Sequence, residues 1–171
     1  SSSHTVGPMK AATSFVKKLI NKNLFESTTR IHCDFFGSLA LTGKGHGTDK
    51  AFILGVQGHD PETINSNYIP EYIAETIKKK KAFLNFGSTS KTIDFNPKKD
   101  IKFNRRKSLP FHPNVVEKLI ADVCQRYVLG SDPFRIEWLW RQVYSSEYSQ
   151  RAKAKTTTKS AVFRKVRPLA S

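Results

Sequence analysis

Cysteine is scarce: Cys33 and Cys124 are the two in 171 residues, far apart in the chain and in no CxxC pair. Thiolate ligation of zinc or of an iron–sulfur cluster needs several closely placed cysteines, so this chain alone is expected to hold neither. No run of about 18 apolar residues is present, and no charged start leads through an apolar stretch to a small-residue cleavage site. A soluble cytoplasmic protein is the expectation, with no membrane partner. The chain opens on Ser1-Ser2-Ser3-His4 rather than Met, which reads as a fragment that has lost residues upstream.

Acidic residues are also few, 14 against 29 Lys and Arg, for a formal net charge of +15. The excess is spread on both sides of Asn114. A diffuse positive field concentrates nucleic acid, small carboxylates and acidic membranes alike and selects none of them. One local concentration stands out: residues 151–171 carry basic side chains, no acidic one and little apolar periodicity, the pattern of a disordered tail through which nucleic acid could be held. Apolar residues are not short. A hydrophobic share of 38%, with 12 Phe, 5 Tyr and 2 Trp, suffices for one modest core or two small ones.

Residues 1–5 read as a hydroxyl-rich loop. Gly7-Pro8 then opens a helix whose Met9, Ala12, Val16, Leu19 and Ile20 recur at helical spacing and face inward. Residues 29–36 alternate as a half-buried strand does, with Ile31, Cys33 and Phe35 on one side, His32 and Asp34 on the other, and Gly37 as the stop. Short helices over 38–41 and 48–56 flank a glycine-rich turn, Gly43-Lys44-Gly45-His46-Gly47. A helix over 68–80 and short strands over 82–86, 92–95 and 101–103 complete an α+β unit, helices packed on a small mixed sheet. Beyond Asn114 the spacing of Val116, Leu119, Ile120, Val123 and Tyr127 predicts a helix stopped by Gly130. A second helix follows, capped by Asp132 and Pro133, with Ile136, Leu139, Trp140 and Val143 as its apolar stripe. The chain thus divides into residues 1–114, a helical hairpin over 115–150, and the basic tail over 151–171.

Two constellations carry chemistry. Hydroxyls of Ser1, Ser2, Ser3 and Thr5 converge with unpaired helix amides and a favourable dipole, a setting that suits a small carboxylate or phosphate; His4 adds a group that exchanges a proton near neutral pH, and Lys10 adds charge. The plain alternative is a serine-rich cap with a surface histidine. In Thr42-Gly43-Lys44-Gly45-His46-Gly47-Thr48-Asp49 three glycines let the backbone approach a ligand closely. The alternative there is a tight helix-to-helix connection capped by Thr48 or Asp49. It is not a P-loop, because the interval from Gly37 to Gly43 is one residue too long and Gly45, not Ser or Thr, follows Lys44. His32, His59 and His112 read as structural. The basic runs 78–81 and 105–107 lack interleaved aromatics and read as solvated.

Residues 1–9, SSSHTVGPM, resemble the opening of the β-domain of bacterial-type, iron–sulfur L-serine dehydratases. Arg30-Ile31, the stretch 36–51 reading FGSLALTGKGHGTDKA, and Gly58 with Asp60-Pro61-Glu62-Thr63 are similar to that family's central motif, and Leu109-Pro110-Phe111-His112-Pro113-Asn114 to a later family segment. The resemblance implies a lyase of amino-acid catabolism that feeds gluconeogenesis. It removes water from L-serine, and the resulting aminoacrylate breaks down to pyruvate and ammonia. A 4Fe-4S-type iron–sulfur cluster acts as Lewis acid, held by a separate α-domain or subunit and not by this chain. It further implies that the β-domain closes over that partner, without which this chain is inactive. His4 would be catalytic, Ser2, Ser3 and Thr5 would bind the substrate carboxylate, and Lys44, His46, Thr48 and Asp49 would complete the pocket.

The resemblance stops near Asn114, and the strand that precedes SSSHT in the family is missing. Residues 116–148, especially Gly130-Ser131-Asp132-Pro133 and Ile136-Glu137-Trp138-Leu139-Trp140, instead resemble the N-terminal capping region of mandelate-racemase-like enolase-superfamily enzymes. The barrel bearing that superfamily's metal ligands is absent, so no catalytic residue carries over from it. Two other readings stay open: a basic protein for nucleic acid or acidic surfaces, and a non-functional chimera of two fragments.

Overall fold

The computed structural model describes residues 2–107, with side chains over 4–107, and the backbone of three further strands within the remaining residues. Helix α1 (Ser2–Asn21) leads into strand β1 (Thr28–Phe36), and α2 (Gly37–His46) and α3 (Thr48–Val56) follow back to back. Then come α4 (Ile69–Lys79), the antiparallel hairpin β2 (Lys81–Phe86) and β3 (Thr89–Asp94), the single turn α5 (Pro97–Asp100) and β4 (Ile101–Phe103). The remaining strands are β5 (Val116–Val123), β6 (Phe134–Arg141) and β7 (Phe163–Val166).

The architecture is α+β, with a five-stranded sheet in the order β4-β1-β5-β6-β7 beside the separate β2-β3 hairpin. Strand β1 pairs in parallel with β4, Cys33 opposite Ile101, and antiparallel with β5, Cys33 opposite Leu119. The β1 alternation is as expected: Ile31, Cys33 and Phe35 are buried, and the residues between them are partly exposed. These three join Phe15, Val16 and Leu19 of α1 and Phe52 and Val56 of α3 in one core. Phe35 stands edge-on to Phe52 with ring centroids 6.1 Å apart and lies 5.1 Å from Phe103, so a single ring ties β1 to α3 and β4. Each such ring, fully buried, stabilises the fold by about 1.5–3 kcal/mol over its exposed state.

Three expectations about local structure are corrected. Helix α1 begins at Ser2 and takes Pro8 into its interior, so the serine segment forms the first helical turn instead of a loop. A proline there removes the amide that would bond the carbonyl four residues back, that of His4. The buried Thr48 hydroxyl donates to that carbonyl instead, at 2.5 Å, and the helix continues across the proline. Second, Gly43, Lys44, Gly45 and His46 are the last turn of α2 rather than a turn between helices. Burial of Leu39 and Ala40 outweighs the poor helix propensity of Gly43 and Gly45, and of the three motif glycines Gly47, at φ 75°, is the one that leaves the helical region.

Third, β5 and β6 stand where the helical hairpin was expected, and β7 occupies part of the expected tail. Residues 134–141, FRIEWLWR, alternate apolar and charged over most of their length as well as fitting a helical stripe. A short apolar run carries both periods, and the backbone groups along β1, satisfied by β5, select the extended one. Cys124, His112 and the 109–114 segment lie outside the described residues, as does the rest of 142–171.

Helices α1 and α3 cross at contact distance. A Cβ on Gly55 would lie 2.2 Å from the Met9 carbonyl oxygen and 2.9 Å from Ala12 Cβ. Thr13 Oγ1 locks the crossing by sharing its one proton between the carbonyls of Met9 (3.0 Å) and Gly55 (3.1 Å). On the sheet, buried Asp100 accepts from Arg30 Nε at 2.7 Å, from His32 Nδ1 at 3.0 Å and from the Asn96 amide at 2.7 Å. His32 is therefore structural, as expected. Burial pushes the Asp100 carboxyl up, but the hydrogen bonds from His32, Arg30 and Asn96 outweigh it and hold it below 3.8.

Gly55→Ala is expected to destabilise by about 1–3 kcal/mol, read as an earlier urea midpoint, because the clash is with backbone that cannot rotate away. For Asp100→Asn the expected loss is about 2 kcal/mol at neutral pH. A carboxyl whose folded pKa is depressed contributes stability above its unfolded value, and that contribution is lost as pH falls through the folded one. Unfolding measured against pH should therefore show a flatter acid limb for Asp100→Asn than for the wild type; parallel limbs would contradict this role for the carboxylate.

Candidate active site

The two motifs converge because of where the helices start. Gly37, at φ 60°, turns the chain from β1 straight into α2, and Gly47 turns it again into α3, its amide reaching the carbonyls of Gly43 and Lys44. This double turn brings Thr42 and His46 of α2 and Thr48 of α3 against the first turns of α1. The approach of α2 to α3 is close: a Cβ on Gly43 would lie 2.7 Å from Thr48 Oγ1.

His4 is the centre of the group. Its Nε2 lies 3.1 Å from Thr42 Oγ1, its carbonyl accepts from Thr48, and its ring centroid is 5.2 Å from that of His46, the planes tilted by 49°. Thr42 in turn donates to the Ser38 carbonyl at 2.9 Å. Burial, and then the neighbouring His46, lower the His4 pKa from 6.5. A backbone hydrogen bond to Ser38 opposes them, and the balance favours the neutral imidazole, the form able to accept a proton.

The other expected site residues fall into two sets. Lys44 and His46 are exposed on α2, and Thr5 is partly buried on α1. Ser2 and Ser3 lie in the first turn of α1, their side chains outside the described set. Thr48 is buried with its hydroxyl committed to the His4 carbonyl, and Asp49 Oδ1 accepts from the Lys50 amide at 2.9 Å. The charge of Lys10 goes to Glu62, at 3.3 Å. Thr42 is the residue that sequence reasoning passed over, although it stands inside the motif. Its signal was the four-residue interval from Ser38, visible only once 38–46 is read as helix.

A cleft of about 680 Å³ opens elsewhere, between α4, the β2-β3 hairpin and residues 57–59. Several of its polar groups are already paired: Gln57 Nε2 donates to Thr76 Oγ1 at 2.7 Å, Lys79 pairs with Glu75, and Lys81 pairs at 2.6 Å with Asp94 outside the lining. His59 stacks on Tyr72 with centroids 4.6 Å apart, and burial lowers its pKa. Gly58 of the quoted motifs lines this cleft, but none of the expected site residues does.

Among the described residues no group of three or more His, Cys, Asp or Glu side chains could hold a metal ion, and Cys33 is buried in the core. Among them, too, no helix is long and apolar enough to cross a membrane.

Comparison with known proteins gives a consistent picture. L-serine dehydratase 1 of Escherichia coli K12 is 43% identical over 114 residues, which is 67% of this chain and 24% of that protein. The L-serine dehydratase of Haemophilus influenzae is 42% identical over 146 residues, 85% of this chain and 29% of that protein, and L-serine dehydratase 2 of Escherichia coli K12 is 52% identical over 75 residues, 44% and 16% respectively. The chain therefore spans about a quarter of the length of these relatives. The family model for the serine dehydratase beta chain matches residues 1–133, which runs on past Asn114, where the quoted motifs end. With both motifs inside that match and folded into one cluster around His4, the chain belongs to the serine dehydratase beta chain family.

Proposed function

We propose that this chain is the β-domain part of an iron–sulfur L-serine dehydratase of the cytoplasm, and that it contributes substrate-pocket residues to the conversion of L-serine to pyruvate and ammonia. The observation that carries this reading is the convergence of the two motifs, with His4 and His46 at 5.2 Å and Thr42 joined to the His4 ring. The relatives carry the name L-serine dehydratase, and the residues gathered here are of the kind that reaction needs.

The first turn of α1 carries the positive end of the helix dipole, which suits the carboxylate of L-serine, with Ser2, Ser3 and Thr5 assigned as its donors. Neutral His4 accepts or returns a proton at the substrate, and Lys44, His46 and Asp49 close the pocket toward the partner. Thr48 acts by holding the His4 backbone. The described side chains do not fit an iron–sulfur cluster, since Cys33 lies in the core. Following the family resemblance, the proposal assigns the cluster to a partner α-domain, and this chain's share is to bind, orient and move a proton.

Pyruvate formation from L-serine, measured anaerobically with this chain alone and with a cluster-bearing α-domain of the family, tests the reading. Activity is expected only in the combined sample and should fall by roughly 10²–10⁴-fold in kcat for His4→Ala. A competent partner that gives no activity with the wild-type chain, or full activity with His4→Ala, would falsify it.

The electrostatics give a second outcome. In NMR titration His4 is expected to titrate below 6.5 and to move upward in His46→Gln, which removes the neighbouring imidazole. A group with a lowered pKa that works in its neutral form loses activity as pH falls through that value, so the acid limb of kcat/KM should shift upward with the same substitution.

A further inference from the structure

We propose that the outer edge of β2 is a docking site for an extended, acidic peptide segment of a partner protein, which adds to the β2-β3 hairpin as a third strand beside α4. This edge lies at the far end of α3 from His4 and shares no residue with the site described above.

The direction in which β2 points its backbone follows from the register of the hairpin. Phe86 and Thr89 flank the turn, Leu84 lies opposite Lys91, Ala82 opposite Ile93, and the Phe95 amide donates to the Lys80 carbonyl at 3.0 Å. In an antiparallel pair every second residue exchanges hydrogen bonds with the other strand, and these are the bonded positions. Lys81, Phe83 and Asn85 therefore turn their amides and carbonyls away from β3. Asn85 shows the same phase, since its amide donates outward to the Gln57 carbonyl at 3.1 Å. Gly58, at φ 90°, comes so close behind that a Cβ there would lie 2.0 Å from the Asn85 carbonyl oxygen. Residues 57–58 thus take the first place along the edge and go no further. At Phe83 neither outward group has a hydrogen-bond partner among the described residues.

The surroundings suit a peptide. Phe83 is 53% exposed in the middle of the strand, and it lines the cleft of about 680 Å³ together with Tyr72, Thr76 and Lys79 of α4. Where the two walls of the cleft join, α4 passes into β2 through four consecutive cations, Lys78 to Lys81. Glu75 and Asp94 pair with two of them, but these pairs are exposed and weak, so an incoming carboxylate meets a net positive end. That sign selects the occupant. A second copy would bring the same lysines edge to edge, and residues 142–171 of this chain are themselves rich in Lys and Arg. A two-stranded hairpin is marginal by itself; a third strand satisfies the open backbone groups and covers Phe83.

The probe is a capped hexapeptide of alternating valine and glutamate, titrated into the full chain and followed in proton–nitrogen spectra. Shifts should centre on residues 81–85, the Phe83 amide should gain protection from solvent exchange, and added salt should weaken binding. The same peptide N-methylated at every peptide bond keeps its side chains and loses the ladder, and it should bind roughly 10-fold more weakly, as should a peptide with lysine in place of glutamate. Phe83→Pro removes an amide that the hairpin does not use and should weaken the first peptide by a similar factor. Equal binding of the N-methylated or lysine peptide, shifts that map away from β2, or no binding at millimolar peptide overturns the proposal. So does a Phe83 amide already protected without peptide: protection that grows with protein concentration gives the edge to a second copy, and protection independent of concentration gives it to another segment of this chain.

Discussion

A proline inside a helix leaves one carbonyl without its amide, and in this protein that carbonyl belongs to His4. The Thr48 hydroxyl fills the vacancy from the first residue of α3, out of contact with solvent. One hydrogen bond thereby ties the N-terminal turn of α1 to the α2–α3 junction, and the junction itself exists because Gly47 takes up the left-handed conformation between two helices. The chain's two motifs meet at this bond. The close packing around it follows: Gly43 leaves room for Thr48, and Gly55 lets α3 lie on the backbone of α1.

The electrostatic character of the site is local and does not follow from the net charge. The chain carries +15 overall, yet several of the lysines that reading by composition would assign to an anion surface are bonded to nearby carboxylates, Lys10 to Glu62, Lys79 to Glu75 and Lys81 to Asp94. At His4, burial first and then the imidazole of His46 favour the neutral ring, against a backbone hydrogen bond to Ser38 that favours the charged one. In the proposed function, a neutral imidazole at the positive end of a helix would meet a carboxylate ligand and a mobile proton at once. Asp100 shows the opposite balance, a buried carboxylate kept ionised by three donors, and its work is to bind the sheet to the α5 turn.

Much of this was legible along the chain. The period of Met9, Ala12, Val16 and Leu19, and the alternation of Ile31, Cys33 and Phe35, name the buried faces of α1 and β1 correctly, because solvent exclusion imposes helical and strand periods on apolar residues wherever one face is covered. The motif residues, with His4 at their head, could be singled out as candidates for chemistry, although a serine-rich cap and a tight helix connection account for the same residue types. Residues 43–46, 116–123 and 134–141 depart from the expectation for a common reason. Glycine propensity and short apolar spacing describe what an isolated segment prefers, whereas α2 is held by the burial of Leu39 and Ala40, and β5 by the backbone groups that β1 presents to it.

Composition and spacing alone therefore identify the α+β class, the core faces and the residues with chemical potential, because each of these depends on side-chain type and local period. Which of those residues meet, and in what state, is a property of the folded chain. Thr42 reaches the His4 ring, Thr48 its carbonyl and His46 its flank across some forty positions of sequence. Hydrogen-bond direction and pKa depend on distance and burial, and these exist once α1, α2 and α3 have packed.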